Sequence, residues 1–128
     1  MARVGLLMLR KGAWGNQQIL SNDIVTKAHT PPPEVAPATI DQPASFPGAT
    51  TNYGVLWWTN TTGQMNGVPT DAYWAWGLHE TLIVVVPSLD LVIARAGDHS
   101  WHTGQEEWNA NYAVLQPFIA PIVQSVTP

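Results

Sequence analysis

At 128 residues with 45% hydrophobic side chains, the chain has the length and apolar content of one small domain with a core. A formal charge of −4 with five Lys and Arg leaves no basic stripe, which excludes nucleic acid and anionic membrane surfaces as expected partners. No apolar run approaches the roughly 18 to 20 residues that span a bilayer, and the lack of cysteine removes disulfides and thiolate chemistry while leaving the compartment undetermined.

Residues 3–11 place Val4, Leu7 and Met8 at helical spacing, with Leu6 and Leu9 widening the stripe and Gly12 placed to end it. Arg10 and Lys11 close this run without a small-residue cleavage site, so it reads as a helix and not as a secretory leader. It has no N-cap and an almost wholly apolar body, the pattern expected where a chain begins inside a larger fold. Trp14-Gly15-Asn16 is a turn and residues 17–20 a short connection. Ser21 is an N-cap for a helix reaching Ala28, with Asp23 near its positive end.

Residues 30–52 hold six prolines among small polar side chains, so neither helix nor strand is expected to persist there. Residues 53–59, YGVLWWT, have strand composition, and residues 60–68 form a polar loop with Gly63 and Gly67. Asn60-Thr61-Thr62 matches a glycosylation sequon, read here as coincidence.

Residues 71–95 are the centre of the chain and predict an antiparallel hairpin. From Leu78 to Val86 nearly every side chain is apolar and many are β-branched, as in a strand buried on both faces. Pro87-Ser88-Leu89-Asp90 supplies a turn, and Leu91-Val92-Ile93-Ala94 a return strand. Residues 96–105 are a loop with His99, Trp101 and His102. Helix resumes near Glu106, with Trp108, Tyr112 and Leu115 on one face; Pro117 should break or restart it, and Phe118, Ile119, Ile122 and Val123 give the second piece an apolar side. The expected class is α+β, an antiparallel sheet flanked by helices. One domain portion is expected, divided into a helical segment 1–29, a proline-rich loop 30–52, sheet strands 53–97, and a loop with C-terminal helix 98–128.

Three stretches carry a resemblance that covers most of the chain outside the proline-rich loop. ARVGLLMLRKGAWGNQQILSNDIV, NYGVLWW and YWAWGLHETLIVVVPSLDLVIAR resemble, in order and spacing, the C-terminal part of serine β-lactamases and penicillin-binding proteins, especially the class C β-lactamase-related, esterase-like branch. The resemblance implies a partial β-lactamase/transpeptidase-like fold and hydrolysis of an ester, amide or β-lactam through an acyl-enzyme.

In that family the active-site strand starts with Lys-Thr-Gly or His-x-Gly, and Ala75-Trp76-Gly77 is the matching triplet. A side chain at Gly77 would block a substrate lying along the strand edge. Ala75 lacks the cation or donor that the family offers to a substrate carboxylate, and Gly77-Leu78-His79 resembles the Gly-Ile-His of esterase-like relatives, so the expectation moves toward esters or amides. The resemblance makes the Leu78 amide an oxyanion-hole donor, the one catalytic role assigned to this chain. Ala75, Trp76, Gly77 and His79 are the expected substrate-binding residues, Trp76 as a cleft wall and His79 facing either substrate or solvent.

The family's Ser-x-x-Lys and Tyr-x-Asn motifs are absent: no Ser lies three residues before Lys11 or Lys27, and none of Tyr53, Tyr73 and Tyr112 has Asn two residues on. The chain is therefore expected to be a C-terminal fragment that is inactive alone and self-associates through an uncovered sheet edge. The alternative is a non-catalytic binding or regulatory protein of the same fold. No cofactor is implied. His99 and His102 have no third ligand beyond Asp98, so no metal site is expected. Glu80, beside His79, reads as structural. Of the seven Trp, about half are expected in the core because Trp57 and Trp58 must face opposite sides of a strand.

Overall fold

The computed structural model describes residues 1–40, 46, 48–97 and 114–126. It is α+β, with a four-stranded antiparallel sheet, a two-stranded sheet and helices. Helix α1 (Ala2–Leu9) ends where expected: the Gly12 amide donates to Leu7 O at 2.8 Å, and Lys11 and Gly12 take positive φ values of 53° and 87°. Residues 13–18 are more regular than a turn and a connection. They form a hairpin of β1 (Ala13–Trp14) and β2 (Gln17–Gln18), because Gly15, at φ 57°, supplies the left-handed residue a two-residue loop needs. Helix α2 (Asn22–Ala28) starts as its cap predicts, with Ser21 Oγ accepting from the Ile24 amide at 3.2 Å and Asp23 in the first turn.

The proline-rich loop contains two short helical pieces, contrary to the expectation of none. Residues Pro33–Val35 form a 3-10 turn and Ala49–Asn52 a single turn, α3. Proline opens the first of these, where its missing N–H costs nothing. The expected strand over 53–59 shrinks to β3 (Trp58–Thr59). Before it the chain reverses: Tyr53 bridges Trp58, the Gly54 amide donates to Trp57 O at 2.7 Å, and Leu56 sits at φ 69°.

The main sheet runs β3-β4-β5-β6, with β4 at Tyr73–Gly77, β5 at Thr81–Val86 and β6 at Leu91–Arg95. The apolar run therefore does not enter a strand at Leu78. Residues Leu78–Glu80 form a 3-10 turn with His79 in the left-handed region (φ 57°, ψ 35°), so the stretch is two hairpins, not one. The second turn is the expected one, Pro87–Leu89 followed by Asp90 at φ 49°. Asp71 braces it, accepting from the Ser88 amide at 2.7 Å and Ser88 Oγ at 2.9 Å.

Strict alternation divides the sheet between two cores. Tyr73, Ala75, Ile83 and Val85 face Met8, Leu9 and Val25 of α1 and α2, while Trp74, Leu82, Val84 and Ile93 face the last helix, α4 (Gln116–Val126). Leu82, Val84, Val85 and Val86 are wholly buried, and side chains of this size each contribute about 1.5 to 3 kcal/mol on burial. Trp57 and Trp58 fall on opposite faces, as the pleat requires. Helix α4 carries Ile119 and Val123 into the core with Phe118 and Ile122 at its margin. Pro117 lies in its first turn and so starts the helix without breaking it, and Pro121 is accommodated inside. The expected loop at 96–105 and the start of a helix near Glu106 fall largely outside the described residues, as do Asp98, His99, Trp101, His102, Trp108 and Tyr112.

Asn60 is fully buried and ties together the loop after β3. Its Nδ2 donates to Val68 O at 2.9 Å, Met65 O at 3.2 Å and Pro69 O at 3.3 Å, and its Oδ1 accepts from the Met65 amide at 2.8 Å. An amide so enclosed is no glycan acceptor in the folded chain. Among the described residues no helix is long and apolar enough to cross a membrane.

Candidate functional site

Ala75, Trp76 and Gly77 are the last three residues of β4. On one side they pair with β5, in the register Ala75 to Ile83, Trp76 to Leu82 and Gly77 to Thr81. On the other side β3 reaches only as far as Tyr73 and Trp74, which pair with Thr59 and Trp58. Among the described residues, then, no strand pairs with the outer edge of Ala75–Gly77. The cause is local: the reversal at Leu56 carries the chain away from the sheet before it reaches Ala75.

Among the described residues nothing requires glycine at position 77. Its backbone is extended (φ −119°, ψ −179°), and a Cβ there would make only ordinary contacts, the nearest with Thr81 O at 3.7 Å. Leu78 follows as the first residue of the turn and is 78% exposed, which an apolar side chain at a strand end does not favour. His79 is exposed beside it. Trp76 is half-buried against the core beneath α4, and Ala75 against the core beneath α1.

Two residues not singled out by sequence hold this turn. Arg95, at the end of β6, donates from Nη1 to His79 O at 2.7 Å. Gly97 lies against the same carbonyl so closely that a Cβ would overlap His79 O, and its amide reaches Thr81 Oγ1 at 3.4 Å. No local pattern signals either contact, since both join segments sixteen residues apart.

The aromatic groups near the base of β4 are not poised for proton transfer. Tyr73 is 2% exposed, and burial, reinforced by the Asp71 carboxylate, pushes its phenol up to about 12, so it stays protonated at neutral pH. His29 stacks on it, and burial holds that imidazole below its ordinary value and hence neutral. What the strand end does offer is backbone: an extended segment with one flank that no described strand pairs, a glycine that no described residue crowds, and a fixed turn. Such an edge can pair with an extended acyl-type ligand. No protein-family model matches the chain, and no curated protein matches it.

Proposed function

We propose that this chain supplies the substrate-side wall of a β-lactamase-like serine hydrolase acting on an ester or amide. The observation that carries this reading is the outer edge of Ala75–Gly77, which no described strand pairs, ending in the exposed Leu78 turn. A substrate's acyl group lies along that edge, admitted by Gly77, and the Leu78 amide donates to the oxygen that becomes negative on attack. One such donor contributes on the order of 3 kcal/mol to transition-state stabilisation. The attacking serine and its lysine lie outside these 128 residues, which contain no Ser-x-x-Lys. Ala75 offers nothing to a carboxylate, which favours neutral esters or amides over penicillin-like acids.

The absence of the nucleophile also supports a second reading, a non-catalytic binding or regulatory protein using the same edge. Fluorophosphonate labelling separates the two. The isolated chain is expected to take up no label and to leave nitrophenyl acetate unhydrolysed; stoichiometric labelling would overturn the assignment of the nucleophile. In the native polypeptide or assembly that contains these residues, labelling is expected on a Ser-x-x-Lys serine. There Leu78→Pro, tolerated at the start of a turn but lacking the N–H, is expected to lower turnover about 100-fold. Absence of any labelled serine in the native material establishes the non-catalytic reading instead.

A further inference from the structure

The geometry points to a binding site for an uncharged aryl or medium-chain alkyl group in the cavity between the proline-rich loop and the Tyr53–Trp58 reversal. The cavity measures about 630 Å³, within the roughly 300 to 1,000 Å³ of small-molecule sites. Three rings form one wall: Trp58 stacks with Phe46 at 5.8 Å and 22°, and meets Tyr53 in a tilted contact at 4.5 Å and 56°. Val35 and Ile40 line it from the proline-rich loop, and Leu56 from the reversal. None of the described lining residues carries a charge, so none of them would compensate a buried carboxylate or ammonium.

Leu56 gives the second, independent argument. It occupies the left-handed region at φ 69°, which costs a branched side chain about 1 to 2 kcal/mol, and it is nevertheless 74% exposed. This strained backbone places an exposed apolar side chain at the cavity, where an apolar ligand would cover it. Trp58 links this cavity to the open strand edge, since the same residue pairs with Trp74 just before Ala75. Identifying the ligand as the acyl portion of a substrate rests on the hydrolase reading; the binding itself does not.

The test is titration of the chain with N-phenyl-1-naphthylamine, an uncharged apolar fluorophore. One equivalent is expected to bind, with methyl decanoate displacing it at least about tenfold better than decanoate. Val35→Asp and Leu56→Asp, each putting a carboxylate at the cavity from an exposed position, should weaken binding about tenfold or more. Ile19→Asp, at an exposed apolar site elsewhere whose exposure lies between those of Val35 and Leu56, should leave it unchanged. Failure to bind, equal loss in all three variants, or equal displacement by ester and acid would each overturn the proposal. So would a self-associated chain that takes no probe and becomes monomeric with Leu56→Asp, which would make a second copy the occupant. No arm depends on catalysis, so a negative result leaves the hydrolase reading standing, and a failed labelling experiment leaves this site standing.

Discussion

His29 lies face to face with Tyr73, the ring centroids 4.1 Å apart and the planes 11° from parallel. The pair joins the end of α2 to β4, and Trp57 closes it from the side with an edge contact to Tyr73 at 5.5 Å. Because burial lowers the imidazole and raises the phenol, each group is neutral in the fold over a wider pH range than in the unfolded chain.

The stability curve should therefore fall on both sides. As pH drops through the ordinary histidine value of 6.5, the unfolded chain binds a proton that folded His29 resists, so stability present above that value is lost on acidification. From pH 10 to about 12 the unfolded tyrosine has lost its proton while folded Tyr73 keeps it, so stability falls as pH rises. Urea unfolding midpoints across pH 5.5 to 7.5 and 9 to 11.5 check both limbs, windows chosen about the ordinary His and Tyr values. His29→Gln should flatten the acid limb and leave the alkaline one; an unchanged acid limb would mean that His29 is not the group responsible.

Asn60→Ala should be among the most damaging single changes. It strands the Val68 carbonyl and the Met65 amide, and takes one donor from the Met65 and Pro69 carbonyls, which keep the Val68 and Ala72 amides; each buried unpaired group costs about 1 to 3 kcal/mol. A loss of about 3 kcal/mol or more is expected from denaturant unfolding. Asn60→Asp should be no better, since a carboxylate can still accept from Met65 but meets the three carbonyls with no donor. A shift below about 1 kcal/mol in either variant would show that water replaces the side chain.

Gly5→Ala sets helix propensity against packing. Alanine inside a helix is worth about 1 kcal/mol over glycine. The new Cβ, however, would stand 2.5 Å from Val92 Cγ1 and 2.9 Å from Ile83 Cγ2, and overpacking of this kind costs about 1 to 3 kcal/mol. Packing should win, with a net loss of about 1 kcal/mol in thermal or urea unfolding. Pairing the change with Val92→Ala, which removes the closest methyl, should make the double variant more stable than the sum of the singles.

These residues also show where local sequence signals end. The α1 stripe, the Ser21 cap and the Pro87 turn were legible because each depends on neighbours within one turn of chain. Residues 53–59 and 78–86 have the composition of continuous strands, yet both contain a reversal. In each, the left-handed residue is not glycine or asparagine but Leu56 or His79, the latter held by Arg95 from β6. Turn chemistry read from sequence looks for the residues that adopt such angles cheaply and misses those forced into them. The same limit applies to the candidate site. Gly77 and Leu78 read as the opening of a strand and not as the end of one, and the edge beside them depends on where Leu56 sends the chain.

Arg95 provides the sharpest test of that end of the sheet. Its hydrogen bond to His79 O is the link that keeps a left-handed histidine in place, and the turn itself is closed by the Thr81 amide donating to Leu78 O. Arg95→Ala should cost only about 1 kcal/mol globally, because the contact is solvent-exposed. Locally the effect should be larger: amide exchange at Thr81 is expected to accelerate about tenfold relative to Val84 in the core, reporting opening of the turn without unfolding of the sheet. His79→Gly should act the other way on strain, recovering about 1 kcal/mol of left-handed cost while leaving the Arg95 contact to the backbone carbonyl intact. Adding His79→Gly to Arg95→Ala should therefore restore part of the Thr81 protection. If Arg95→Ala leaves Thr81 exchange unchanged, the packing of Gly97 against His79 holds the turn, and the Leu78 amide owes its position to that contact and not to the guanidinium.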